Sequence, residues 1–232
     1  MDMTVTMNDP KNVDYFYEQA VKTLRTNLQF SGKSVKSILV TSSFPNEGKS
    51  DITIQLAKEF GQIGKRVVVV DADIRRSCLV NRYDVQRRIH GLSHLLSGMS
   101  SLESVLYETS FPNVDIIFAG PSVPNPSELL SDESFEQLIR TLSESYDYVF
   151  VDTPPIMSII DAAIVARVCD GAVFVIESGR VSYRVAQKCK AQLTKANCRL
   201  LGTVLNKVDV QKDKYYHRYG YYNKKKEYQD YY

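Results

Sequence analysis

The chain runs to 232 residues with a formal net charge of +2, 44% hydrophobic and 24% charged residues. That length suits one α/β domain with a sizeable core, and so small a charge does not by itself point to nucleic acid. No apolar run approaches the ~20 residues of a membrane helix, and MDMTVTMNDPKNVDYFYEQAV lacks the basic start and apolar stretch of a signal peptide.

Along the chain, short apolar runs rich in β-branched residues alternate with helix-like segments. The first, SILVT (37–41), leads into SSFPNEGKSDITIQLAKEF, and RVVVVD (66–71) continues as VVVVDADIRR. VDIIFA (114–119) follows. Phe135, Leu138, Ile139 and Leu142 then take the i, i+3, i+4, i+7 spacing of an amphipathic helix, with Ser131 or Ser134 as its N-cap. YVFVD (148–152), AVFVIE (172–177) and LLGTVLN (200–206) complete the strands. Consecutive apolar positions mark strands buried on both faces. The alternation predicts an α/β fold, a doubly wound and mainly parallel sheet, as one domain over residues 1–210 without repeat or linker.

Residues 211–232 lack apolar periodicity and read as a flexible tail. The tail holds eight tyrosines, Tyr215, Tyr216, Tyr219, Tyr221, Tyr222, Tyr228, Tyr231 and Tyr232. Its six Lys/Arg against three Asp/Glu give +3, so the rest of the chain carries −1 of the total +2. Cys78, Cys169, Cys189 and Cys198 form no C-x-x-C pair, which fits a reducing, cytoplasmic setting. His90 and His94 have no acid or cysteine nearby in sequence and read as surface or packing residues.

Gly48, Lys49 and Ser50 form the G-K-S of a P-loop between a strand and a helix. Backbone N–H groups at a helix start, with the helix dipole behind them, favour phosphate. Lys49 would reach the β- and γ-phosphates, and the Ser50 hydroxyl would hold Mg²⁺. Asn46 stands where a second glycine is common and tolerates positive φ; Glu47 completes the loop, and Asp51 adds a negative charge beside it. Asp71, Asp73 and Asp152 end strands and would meet at one sheet edge, there to face a nucleotide's metal; capping of the following segments is the plainer role for each. Arg75 and Arg76 could pair with phosphate or with a surface carboxylate. Asn206, Lys207 and Asp209 match N-K-x-D, which would put Asn206 on the base; an ordinary strand-end turn explains them equally well.

Together, PNEGKS, VVVVDADIRR, YVFVDTPP, the loop GPSVPNPSELL and the tyrosine-rich end resemble the bacterial tyrosine kinase (BY-kinase) family of capsular and exopolysaccharide synthesis, in its form as a separate cytoplasmic subunit in Gram-positive bacteria. The resemblance spans nearly the whole chain. It implies a P-loop NTPase fold similar to the MinD and ParA ATPases, although Phe44 stands where those carry a signature lysine. It implies an ATP- and Mg²⁺-dependent protein-tyrosine kinase, with Lys49 and Ser50 on phosphate and metal, Asp73 and Asp152 on metal, and Asp71 taking the proton of an incoming tyrosine. It further implies autophosphorylation of the tail in trans, a membrane-spanning polysaccharide co-polymerase as activating adaptor at the inner membrane face, a cognate tyrosine phosphatase, and no nucleic acid. Gln19, Lys22 and Arg25, in a helical segment about residues 12–30, occupy the family's E-x-x-R-x-x-R subunit contact, implying a homo-oligomer, a ring being one form of it. No H-R-D or D-F-G is present, which excludes a eukaryotic-type kinase. The competing reading is a P-loop ATPase or GTPase switch without phosphotransfer, although DTPP lacks the glycine of the D-x-x-G switch.

Overall fold

The computed structural model describes residues 3–8 and 15–209. The tyrosines expected as phosphoacceptors at 215–232, and the first residues of the expected contact helix at 12–14, lie outside the described residues. In chain order the elements are β1 (Thr4–Val5), α1 (Tyr15–Gln29), β2 (Ser37–Ser42), α2 (Lys49–Gln62), β3 (Val67–Asp71), α3 (Leu79–Arg82) and α4 (Leu92–Leu96). After a short 3₁₀ turn come β4 (Leu106–Thr109), β5 (Val114–Ile117), α5 (Pro126–Ser131) and α6 (Glu133–Ser145). The last are β6 (Tyr148–Asp152), α7 (Asp161–Ala166), β7 (Gly171–Glu177), α8 (Tyr183–Lys195) and β8 (Leu200–Asn206).

Among the described residues eight strands form one sheet in the order β1-β4-β5-β3-β6-β2-β7-β8. Every pairing is parallel except β4 with β5. The doubly wound, mainly parallel sheet is therefore as expected, and the runs of consecutive apolar residues have their physical reason in it. Val68 and Val70 of β3 enter one core layer with Val149, Val151, Phe135 and Leu142. Val67 and Val69 enter the other with Phe150, Ile54, Leu56 and Phe60. Each face needs its own apolar set, so period-2 alternation disappears from the central strands.

Two expectations are corrected. The strand expected over 114–119 ends at Ile117, because the carbonyls of Phe118 and Ala119 accept the Leu92 and Ser93 N–H groups (2.7 and 2.9 Å) and bind α4 instead. The cap of α6 is neither Ser131 nor Ser134 but Asp132, whose side chain accepts the Ser134 N–H. Ser131 still belongs to α5, where its hydroxyl donates to the Ser127 carbonyl at 2.6 Å.

Candidate active site

The site gathers where β2, β3 and β6 end. After β2 the chain makes its loop with Asn46 at φ 67° and Gly48 at φ 94°, and α2 begins at Lys49. Both angles lie in the left-handed region, which Asn and Gly enter at least cost. Gly48 caps α2 without a side-chain hydrogen bond, so no side chain at this cap competes with an anion for the first-turn N–H groups. Glu47 turns inward: it is fully buried, and its Oε2 accepts the Ser43 and Phe44 N–H groups at 2.7 and 3.1 Å. Its side chain braces the loop. Asp51, the uncomfortable charge of the sequence, is buried against Arg82 Nε at 3.0 Å, so a cation from α3 offsets it.

The carboxylates meet because of sheet register. Asp71 of β3 pairs directly with Asp152 of β6, and the Ala72 N–H donates to the Asp152 carbonyl at 2.8 Å. Lys49 Nζ stands 3.7 Å from Asp73 Oδ2 and 4.0 Å from Asp152 Oδ1, and donates to Ser50 Oγ at 3.3 Å. Burial lowers the pKa of Lys49, but the charges of Asp152, Asp73 and Asp71 outweigh it and leave the ammonium above its ordinary value. Burial, joined by the charges of Asp152 and Asp73, pushes Asp71 up to about 8. Burial also raises Asp152, against the pull of Lys49. Asp71 Oδ1 accepts the Asp73 N–H at 3.2 Å, and its Oδ2 accepts the hydroxyl of Ser77. Asp152 Oδ1 is buried with no hydrogen-bond partner.

An orphaned carboxylate oxygen is costly unless something completes it. Ser50, Asp73 and Asp152 offer the hard oxygen donors a small divalent cation prefers. Among the described residues no three His, Cys, Asp or Glu side chains form a metal cage of their own; phosphate and water would have to complete the set.

The other sequence candidates separate. Arg75 faces no phosphate cradle but a buried carboxylate: its Nε and Nη2 donate to Asp161 at 2.6 and 3.2 Å, and Nη2 also reaches Ser127 Oγ at 2.8 Å. Arg76 is exposed. Asn206 and Lys207 donate to P-loop carbonyls, those of Glu47 at 2.8 Å and Asn46 at 2.6 Å. In α1, Gln19 is exposed, Lys22 pairs with Glu18 at 2.5 Å, and Arg25 binds Glu59 of α2 at 2.9 Å, so Arg25 already serves a contact within the chain. The rings of His90 and His94 stack at 4.6 Å. Ser77, Arg82, Ser127 and Asp161 were missed; no local motif marks them, since each acts through a partner distant in sequence or through a hydroxyl of common type.

A strand, a loop with left-handed turns and a helix opening on Lys-Ser, set beside paired strand-end carboxylates, define a P-loop nucleotide-binding protein. A family model described as an AAA domain matches residues 35–199. A tyrosine-protein kinase CpsD of Streptococcus pneumoniae is 39% identical over 90% of this chain and 92% of its own length. The solved kinase domain of the Escherichia coli tyrosine kinase ETK superposes with a TM-score of 0.80 at 29% identity, covering 89% of each chain. The MinD protein of Pyrococcus horikoshii OT3 shares the fold, with a TM-score of 0.66 at 24% identity over 75% of this chain and 71% of its own. The chain belongs to the family of bacterial tyrosine-protein kinases.

Proposed function

We propose that the site transfers the terminal phosphoryl group of ATP, bound with Mg²⁺, to tyrosine hydroxyls, first of all those at 215–232 of a neighbouring copy. The observation that supports this most is Asp71. A P-loop and a metal set would serve any NTPase, but Asp71 is a further buried carboxylate at the same edge, and its Oδ2 already receives a hydroxyl, that of Ser77. A phenol, with a pKa near 10, reaches neutral pH protonated and needs such an acceptor. Lys49 would hold the phosphate oxygens, and Ser50, Asp73 and Asp152 would hold Mg²⁺. Asp71, drawn down from its raised value into the ionised form by the charge of that cation, would then take the phenolic proton as the new O–P bond forms and ADP departs. Bound Mg·ATP supplies the phosphoryl group and partial neutralisation of its charge.

In this reading residues 1–210 are the enzyme and 211–232 its substrate. Each phosphorylation adds roughly −1.5 to −2 charge, so two would cancel the tail's +3 and three would reverse it. No helix among the described residues is long and apolar enough to cross a membrane. The relatives' kinase names and the family resemblance support a cytoplasmic subunit held at the membrane by a polysaccharide co-polymerase adaptor, assembled with other copies and reset by a tyrosine phosphatase. Its output would be control of capsule or exopolysaccharide synthesis and export.

The test incubates the pure chain, with and without the adaptor's cytoplasmic end, with Mg²⁺ and ATP, then maps phosphotyrosine by mass spectrometry. Phosphotyrosine within 215–232, lost in Lys49→Met, is expected. Its absence in both arms, or equal labelling of the variant, refutes the proposal.

A further inference from the structure

We infer that Asn206 and Lys207, at the end of β8, are positioning residues that hold the phosphate loop by its carbonyls. Asn206 Nδ2 donates to the Glu47 carbonyl at 2.8 Å, and Lys207 Nζ donates to the Asn46 carbonyl at 2.6 Å. These are successive carbonyls of the P-loop. In a trans peptide the C=O of one residue and the N–H of the next point opposite ways. Drawing the two carbonyls toward β8 therefore turns the N–H groups of Glu47 and Gly48 away from β8, as an anion cradle requires. A donor on the carbonyl also polarises the peptide and strengthens its N–H as a donor.

Three further features belong to the same clamp. Lys207 sits at φ 55°, a left-handed conformation rare outside glycine and asparagine, which persists where surrounding bonds over-determine it. Its ammonium is held from behind by Glu177 Oε2 at 3.1 Å, and Arg180 binds that same oxygen at 2.9 Å. A Cβ at Gly48 would lie 2.2 Å from Asn206 Nδ2. The clamp thus demands glycine at position 48 for space as well as for φ. The N-K of the N-K-x-D match accordingly faces the loop backbone, and one of the two amide N–H donors of Asn206 is spent there.

The inference rests on the nucleotide reading of the site, and a binding experiment separates the two. Dissociation constants for Mg·ATP and for Mg·tripolyphosphate, which has no base, are measured by competition against a fluorescent ADP. Asn206→Asp, which replaces the donor with an acceptor, and Lys207→Ala, at a half-exposed side chain whose loss spares the core, are each expected to weaken both ligands by the same factor, about tenfold for a lost hydrogen bond to a charged or polarised group. Lys207→Arg keeps a donor and should restore most of the affinity. Loss of ATP affinity with tripolyphosphate unchanged would assign base reading and overturn the clamp. A lowered melting temperature with both constants unchanged would mark a merely structural role and also overturn it. A wild type that binds neither ligand overturns the nucleotide reading and the clamp with it.

Discussion

Replacing Asp71 with Asn should abolish phosphotransfer and at the same time stabilise the ligand-free fold. Asp71 is fully buried, register-paired with Asp152 and close in sequence to Asp73. Its pKa rises from 3.8 to about 8, through burial first and the neighbouring carboxylates next. Because the folded value stands above the unfolded one, folding takes up a proton: this contribution to stability is complete below pH 4 and is lost as pH rises from about 4 to about 8. At pH 7 the penalty is at most roughly 4 kcal/mol, from about three units at 1.36 kcal/mol each, and relaxation with water entry brings it to about 2 kcal/mol. Asn keeps the shape, an oxygen for the Asp73 N–H and a donor for Ser77 Oγ, and carries no charge. For a chain of this size about 2 kcal/mol corresponds to a rise in Tm of about 4–8 °C. Calorimetry in EDTA from pH 5 to 8 reads it. The variant's advantage over wild type should widen with pH, while its Mg·ATP affinity stays measurable and phosphotyrosine formation falls to background. A variant that melts at or below wild type across the whole pH range would refute the electrostatic account of the acid cluster.

Other consequences are as specific. Arg75→Met leaves Asp161 buried with only the Ser127 hydroxyl for company and should destabilise by about 3 kcal/mol, whereas Asp161→Asn, which leaves a half-exposed guanidinium free to reach water, should cost less; urea midpoints check the order. Arg82→Ala uncovers the charge of Asp51 beside the phosphate cradle and should weaken ADP binding at low salt by roughly three- to tenfold; combining it with Asp51→Asn should restore affinity, a coupling that titration calorimetry measures. Gly61→Ala would ordinarily stabilise a helix by about 1 kcal/mol. Here its Cβ would meet the Pro112 carbonyl at 2.2 Å and a Val114 methyl at 2.9 Å, so the sign should reverse to a loss of about 1–3 kcal/mol in denaturant unfolding.

The central strands were legible because burial on both faces leaves an unbroken apolar run, as in VVVV before Asp71. The two strands at the β1 end of the sheet were not. β1, the edge, is two residues long, and β4 beside it, LYET, is four residues long with Tyr107 alone fully buried, so neither leaves an unbroken apolar run. The α6 cap failed for a related reason: Ser131, Asp132 and Ser134 all suit the role by type, and only the end of α5 at Ser131 decides among them.

The site divides along the same line. That Lys49, Ser50, Asp71, Asp73 and Asp152 come together could be read from the sequence because the proposed work on phosphate, metal and proton would restrict which side chains serve, and because strand ends restrict where they stand. What holds them in place obeys no such restriction. Arg75 finds Asp161 across 86 positions, and Asn206 finds the Glu47 carbonyl across 159. A carbonyl accepts from any donor of sufficient reach, so residue type says little, and the distance is set by all the strands that intervene in the fold. N-K-x-D therefore carried two meanings in sequence, a base reader or a turn, and the structure supplies a third that only the β2-β7-β8 order makes possible. With β7 between them, the end of β8 arrives behind the P-loop, where donors meet carbonyls.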